Sequence, residues 1–357
     1  MSVLISISHF LTPLLLFLSY SIVSLYLDKS YDSFMKSFEN KIAVVTGGGT
    51  GMGRELVLQL VKANCNVSMC DVIEENMDQT MDLATSINPD VKITKHLCDV
   101  SIKEQVEKFR DDVLKEQESD SINLLFNNAG IGGGQSFIKS DIEEWEKVFA
   151  VCWYGVYFCS RAFMDALIQS DEGHLINTSS VNGFWASLGD GVPHTSYSAA
   201  KFAVKGFSEA LLNDFKVNAP HLNVSVVMPG HIGTDISQNT GIILGKKPEE
   251  MEDEELQEMK DSWIKAGAPV HNLSLEVFKE ALIQRQEDFK NNAITSAKDA
   301  ATVILDGVKE NNWRILIGPD AEALDRRVRD NPEKAYDGDF LPKRDDNHFT
   351  NPFSEKK

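Results

Sequence analysis

Val44-Val45-Thr46-Gly47-Gly48-Gly49-Thr50-Gly51-Met52-Gly53-Arg54-Glu55 reads as an apolar strand, a glycine-rich turn and the start of a helix. Glycines in such a turn let the chain bend tightly and bring backbone N–H groups at a helix N-terminus close to a pyrophosphate. Gly47, Thr50, Gly51, Met52 and Gly53 are therefore candidate dinucleotide contacts. A glycine-rich turn is common in βα loops, so its weight depends on the next strand. Asp71 ends that β-branched run, 18 residues past Gly53, where a carboxylate accepts hydrogen bonds from adenosine ribose hydroxyls. The same carboxylate repels a 2′-phosphate, and Val72 offers no base to counter it. NAD is thus preferred over NADP, with Arg54 as the reservation, because a guanidinium binds phosphate well.

Outward from this turn, short β-branched runs alternate with longer amphipathic stretches from Lys41 onward. That alternation is the signature of βαβ units and a parallel sheet. Strands are expected at Ile42 to Thr46, Val67 to Asp71, Val91 to Leu97, Asn123 to Asn127, His174 to Thr178, Val224 to Met228 and Arg314 to Ile317. Helices are expected to begin near Gly51, Glu74, Ser101, Asp141, Tyr197 and Ala297. Right-handed crossovers then give an α/β fold, a Rossmann-like doubly wound parallel sheet of about seven strands. A helical insertion at 235–296 is too long for an ordinary connection and reads as a substrate lid or as a solvated helical hairpin. The domain is expected to span 41–330, preceded by an apolar segment and linker at 1–40 and followed by a loosely ordered polar tail at 331–357.

Composition narrows the partners. The 357 residues carry a formal charge of −19, which argues against nucleic acid, whose phosphates need clustered Lys and Arg. Five cysteines without CxxC spacing fit free buried thiols, hence a reducing compartment, better than a disulfide framework. No metal site is expected. Phe10 to Leu27 is a nearly continuous apolar run with no acidic or basic residue, near the lower limit for spanning a bilayer. Lys29, Lys36 and Lys41 come after it, so a membrane anchor would leave the catalytic domain facing the cytosol, as at the endoplasmic reticulum. A cleaved signal peptide and a cytoplasmic chain with an interfacial segment are the competing readings.

Further candidates fall where a doubly wound sheet presents its carboxyl edge. Asp99-Val100 follows the third strand and Asn127-Asn128-Ala129-Gly130 ends the fourth. Their plainer readings are a helix N-cap and a turn. Tyr197-Ser198-Ala199-Ala200-Lys201 opens a helix with Tyr and Lys on one face. A nearby ammonium and a positive nicotinamide favour phenolate, moving the phenol toward the working range of a base. Tyr-x-x-x-Lys taken alone is usually a surface pair. Upstream, Ser179-Ser180 follows a strand end, and Ser180 is the better placed to hold a substrate oxygen. Downstream, Val227-Met228-Pro229-Gly230-His231-Ile232-Gly233-Thr234 is a strand and a rigid turn. Pro229, Gly230, Ile232 and Thr234 are candidate nicotinamide contacts.

Together these pieces resemble the short-chain dehydrogenase/reductase family over roughly Lys41 to Asp330: a Thr-Gly-x-x-x-Gly-x-Gly turn, an Asn-Asn-Ala-Gly segment, a serine and a Tyr-x-x-x-Lys pair, in the family's order. The resemblance implies Tyr197 as general acid/base, Lys201 as ribose ligand and modulator of the tyrosine, and Ser180 as substrate-oxygen ligand. It also implies a small-molecule alcohol or carbonyl substrate and a homo-oligomer. Two departures stand out. Cys152, in Val151-Cys152-Trp153-Tyr154-Gly155, occupies the position where the family usually has an Asn that holds a relay water. The spacing from Ser180 to Tyr197 is a few residues longer than usual, with 189–194 bulging between them. The expected function is hydride transfer between NAD(H) and an alcohol or carbonyl, with a lipophilic substrate. A catalytically impaired NAD-binding sensor or scaffold is the alternative.

Overall fold

The computed structural model describes residues 35–133, 136–189, 192–265, 269–338, 340 and 341. The apolar stretch Phe10 to Leu27 lies outside them, and with it the anchor and signal-peptide readings. Among the described residues no helix is long and apolar enough to cross a membrane.

The strands are β1 (Ile42–Thr46), β2 (Asn66–Asp71), β3 (Ile93–Leu97), β4 (Leu124–Asn127), β5 (Gly173–Thr178), β6 (Leu222–Pro229), β7 (Ile232–Gly233), β8 (Thr295–Ser296) and β9 (Arg314–Ile317). Seven form one sheet in the order β3-β2-β1-β4-β5-β6-β9, parallel throughout. The short β7 and β8 pair separately. The order reverses between β1 and β4, the point at which a doubly wound sheet opens a crevice at its carboxyl edge.

Residue alternation along the central strands fills two cores. Ala43, Val45, Leu124 and Phe126 face one layer with Leu56, Leu60 and Val61 of α1 (Gly51–Lys62) and, farther along the chain, Ala301 and Ile304. Val44 and Leu125 face the other, against Val106 and Phe109 of one helix and Phe163 of another. The remaining helices, in chain order, are α2 (Glu74–Ile87), α3 (Lys103–Gln117), α4 (Ile142–Phe149), α5 (Gly155–Ile168), α6 (Thr195–Asn218), α7 (Ile236–Ile243), α8 (Asp253–Lys265), α9 (Leu275–Asn291), α10 (Ala297–Lys309) and α11 (Pro319–Asp330). A π-helical turn, Ala150–Tyr154, joins α4 to α5.

Two helix starts differ from the sequence expectation, each for a local reason. α3 begins at Lys103, not Ser101, because the Asp99 carboxylate accepts from both Ser101 N (2.9 Å) and Ser101 Oγ (2.6 Å), holding that segment in a turn. α6 begins at Thr195, two residues before Tyr197, with the His194 carbonyl accepting from Ser198 N.

In the insertion, α8 and α9 bury a small core of their own, Leu256, Val270, Phe278 and Leu282, which a merely solvated hairpin would lack. The first part of the polar tail, expected to be loose, is packed instead. Trp185 Nε1 donates to Ala335 O (2.6 Å), Ala186 N donates to the Tyr336 hydroxyl (3.0 Å), and Phe340 closes over Trp185. Apolar residues spaced among Asp and Lys were enough to seat the segment.

Candidate active site

The glycine turn is shaped by close approaches that no side chain permits. Gly47 has φ +67°, and a Cβ there would lie 2.9 Å from Ala129 Cα; a Cβ on Gly53 would lie 1.9 Å from Gly47 O. The turn therefore folds flat against β4 and exposes backbone N–H groups at the start of α1. Asp71, at the end of β2, accepts from Gly49 N (3.0 Å), Val72 N (2.8 Å) and Ile73 N (3.2 Å). Burial pushes its carboxyl up, and these backbone donors pull it back only in part. Arg54 is turned to structural work: its Nε donates to Gly49 O and Thr80 Oγ1, and its Nη2 to Asn76 O and Gln79 Oε1.

Thr46 ties the two sides of the crevice together, its Oγ1 accepting from Asn128 N and Ala129 N, both at 3.0 Å. Asn128 Nδ2 donates to Thr46 O (3.1 Å), while its Oδ1 is buried without a partner. A flat glycine cradle, a strand-end carboxylate and an unsatisfied buried amide oxygen at one edge fit a dinucleotide. Val100 packs against Gly155. The Asp99 carboxylate is committed to Lys147 Nζ (2.6 Å) as well as to Ser101. Burial would raise that carboxyl, and the Lys147 and Ser101 bonds hold it below its usual range; the N-cap of α3 is Ile102, so Asp99 does not cap the helix.

On the other side, Gly230 N donates to Ile317 O (2.9 Å) and His231 N to Asp320 Oδ2 (2.8 Å), fixing the turn after Pro229. Ile232 is buried, and Thr234 stands over Gly51, its Cβ 3.1 Å from where a Gly51 Cβ would be. α7 then crosses the turn: Asn239 Nδ2 donates to Thr50 Oγ1 (2.8 Å), and Thr240 Oγ1 accepts from Gly132 N (2.8 Å). Of the glycine-turn candidates, Met52 packs against the first core, its side chain turned to the sheet.

The reacting residues meet beside this crevice. Ser180 lies near enough to the Tyr197 hydroxyl to draw the phenol down, and its Oγ accepts from Asn182 N (3.1 Å). Lys201 is buried, with Nζ donating to Thr178 O (2.9 Å) and lying 5.3 Å from the Tyr197 ring centre. Ser179 points away, donating to Lys201 O (2.7 Å), so Ser180 alone faces the tyrosine. Cys152 is fully buried, its thiol donating to Ile131 O (3.3 Å). Lys201 Nζ and Cys152 Sγ both border Gly130, 3.6 and 3.8 Å from where its Cβ would be. Burial pushes the Tyr197 phenol up; charge on Cys152 adds to this, and the Ser180 bond opposes it. Burial also lowers the Lys201 ammonium, with Cys152 opposing. The protein's own groups thus favour a neutral phenol; the sequence expectation of phenolate counts on a positive nicotinamide as well as on Lys201.

Two residues of this site lie in stretches that the sequence reading marked, the strand end at Ser180 and the bulge at 189–194, without being singled out there. Asn182 Nδ2 donates to Trp185 O (3.0 Å) and Ser187 O (2.8 Å), folding the long loop after Ser180. His194 lies with its ring centre 4.8 Å from that of Tyr197. Its place three residues before the tyrosine was the available signal, but the burial that makes it matter was not. All five cysteines are free and buried, and among the described residues no cluster could hold a metal ion.

Comparison with known proteins agrees with this geometry. The short chain dehydrogenase family model matches residues 41–242. SadH of Mycobacterium tuberculosis, named only as an oxidoreductase, is 31% identical over 295 residues, covering 83% of this chain and 92% of SadH. Human epidermal retinol dehydrogenase 2 is 32% identical over 200 residues, 56% of this chain and 62% of that protein. A short chain dehydrogenase/reductase from Burkholderia phymatum, solved in complex with NAD, superposes with a TM-score of 0.66 at 26% identity, covering 84% of this chain and 96% of that one. The chain is an oxidoreductase of the short-chain dehydrogenase/reductase family.

Proposed function

We propose that this protein interconverts an alcohol and its ketone or aldehyde with NAD(H), on a lipophilic substrate. The observation that carries the reading is the buried Lys201 ammonium, bonded to Thr178 O and 5.3 Å from the Tyr197 ring centre, with Ser180 beside the phenol. The nicotinamide cofactor supplies hydride transfer. The chain supplies the proton handling. Ser180 holds the substrate oxygen, and Tyr197 gives its phenolic proton to that oxygen in reduction or takes one in oxidation. Lys201 places positive charge at the ring, which favours phenolate when the proton leaves. Gly47, Thr50, Gly51 and Gly53 would cradle the pyrophosphate, with Asn128, Ala129, Gly130 and the Pro229–Thr234 turn lining the rest of the groove.

Preference for NAD over NADP rests on Asp71 together with Arg54, whose guanidinium is already spent on α2 and the turn. A 2′-phosphate at Asp71 would meet a carboxylate, and the Arg54 guanidinium, whose charge reaches Asp71, keeps NADP as the alternative. The lid of 235–296, held across the glycine turn by Asn239, and the partial likeness to a retinol dehydrogenase both favour an apolar substrate. A homo-oligomer is part of the reading, as is attachment of the Phe10 to Leu27 stretch to a membrane with the enzyme facing the cytosol. Cys152 at the usual Asn position favours the second reading, an impaired NAD-binding sensor or scaffold.

Purified full-length protein assayed with NAD and NADP against a panel of alcohols, retinol among them, separates these readings. Turnover faster with NAD, abolished in Tyr197→Phe while NAD binding persists, is the expected result. Tyr197→Phe turning over at the wild-type rate would refute the mechanism, and a faster rate with NADP would refute the role of Asp71.

A further inference from the structure

Ser180 sits at a junction. It leaves β5 in extended backbone (φ −171°, ψ 171°) and opens a single 3-10 turn, Val181–Gly183, with its Oγ accepting from Asn182 N (3.1 Å) and its carbonyl from Gly183 N (2.9 Å). On the near side the turn lies against α6, where a Cβ on Gly183 would meet Ser179 Oγ at 2.2 Å and Lys201 O at 2.9 Å. On the far side it is held by one amide. Asn182 is buried, and its Nδ2 donates to both Trp185 O (3.0 Å) and Ser187 O (2.8 Å), which uses the two hydrogens that nitrogen has. Trp185 N donates back to Val181 O (2.9 Å). The setting of the serine hydroxyl therefore depends, through Asn182, on where Trp185 is.

Trp185 is seated by the tail and not by the sheet. It is 6% exposed and joins neither sheet core, but a separate cluster with Ala335 and Phe340, against which Phe184, Leu324 and Val328 pack. Its indole Nε1 donates to Ala335 O (2.6 Å), 150 residues along the chain, and the Phe340 ring centre lies 6.1 Å from that of the indole. Next in the loop, Ala186 N donates to the Tyr336 hydroxyl (3.0 Å). Two arginines back the cluster: Arg327 of α11 lies over the Phe340 ring (5.5 Å), and Arg314, held by Asp325 Oδ2 (2.9 Å), lies over Phe184 (5.8 Å). A buried indole whose single N–H is spent on a carbonyl is fixed in both depth and rotation.

We propose that Trp185 is a positioning residue of the active site: seated by Ala335, Tyr336 and Phe340 of the tail, it fixes the Ser180 hydroxyl beside Tyr197 through Asn182. The inference rests on the dehydrogenase reading above and extends it, by making the packed part of the tail a support for the substrate-oxygen ligand. A hydroxyl that must meet a reacting oxygen acts only at fixed geometry, and hydrogen bonds behind it supply that geometry. Ser180 also draws the Tyr197 phenol down against burial. A loosened serine thus has a second signature, a tyrosine that titrates higher.

The test uses the full-length chain in two variants. Trp185→Phe keeps a ring in the cluster and loses Nε1–H; Tyr336→Phe removes one acceptor from a residue that is 61% exposed, so the fold is spared. Hydrogen exchange is followed in peptides covering 180–187 and, for reference, β1 and β4. NAD affinity by calorimetric titration and the pH–rate profile of alcohol oxidation accompany it. Both variants are expected to exchange faster at 180–187 with the sheet unchanged and NAD affinity kept. The kcat should fall about tenfold in Trp185→Phe and less in Tyr336→Phe, with the rising limb of the profile moved to higher pH. Exchange at 180–187 equal to wild type in both variants would overturn the proposal. So would faster exchange there with kcat and the pH profile unchanged, or protection lost from sheet and loop alike, the mark of a merely structural role. If wild type oxidises no alcohol of the panel, the dehydrogenase reading is what has failed, and exchange at 180–187 in the two variants then decides whether the tail holds the serine turn.

Discussion

Gly53 shows how little freedom a single position can have. An added methyl would sit 1.9 Å from Gly47 O and 2.7 Å from Asn128 Nδ2, so neither the turn nor β4 can keep its place. Gly53→Ala is expected to cost about 1–3 kcal/mol and to weaken NAD binding. Calorimetric titration alongside thermal unfolding checks both effects, and unaltered affinity would show that the cradle tolerates a shift. Tyr197 makes a complementary point. Its four-residue spacing from Lys201 was plain in the sequence, but the burial that pushes the phenol up was not.

Elements decide what the residues can do together. α7 reaches over the glycine turn through Asn239 and Thr240, and Lys246, just beyond it, pairs with Glu144 of α4 (2.6 Å). This strap ties the insertion to the crevice. Behind it, α8 and α9 depend on a four-residue core separate from the sheet. That arrangement predicts independent failure: Phe278→Ala removes a fully buried ring, a loss of about 3–5 kcal/mol borne by the insertion and not by the sheet. Limited proteolysis should then cut within 244–274 while the main unfolding transition moves little. A large shift of that transition would mean that the two cores unfold as one. The helical period of α8 and α9 was legible because acidic and apolar residues alternate at helical spacing. Their mutual packing was not, since it joins residues on either side of a Gly and Pro break.

Across the whole molecule, buried histidines set the response to acid. His174 lies in β5 with its pKa lowered to about 3, and His194 is lowered to about 4, both by burial from an ordinary 6.5. The unfolded chain takes up a proton at each near pH 6.5, but the folded chain resists until pH 3 to 4. Stability is therefore whole above pH 6.5 and is lost as the pH falls through that window. At pH 5 the cost is about 2 kcal/mol for each histidine. The melting temperature should fall by several degrees between pH 7.5 and 5, and His174→Asn should flatten the slope. A flat wild-type profile would mean that one of these rings reaches solvent before the chain unfolds.

The sequence by itself determined the sheet and the place of the chemistry. β-branched runs can satisfy their backbone only by pairing, helical spacing covers their faces, and the glycine turn, the Asn-Asn-Ala-Gly segment and the serine fall at strand ends whatever the details, with the Tyr-x-x-x-Lys pair on the helix beside them. Tertiary structure alone decided which candidates are free to act. Arg54 and Asp99 stand at ligand positions in the sequence, and in the fold they also bond Thr80, Gln79 and Lys147. Those partners lie more than 20 residues away, and no local pattern reveals them. His194 is the reverse case, an ordinary loop residue in sequence. Only the folded chain removes its Nδ1 from water and brings its ring centre 4.8 Å from that of Tyr197.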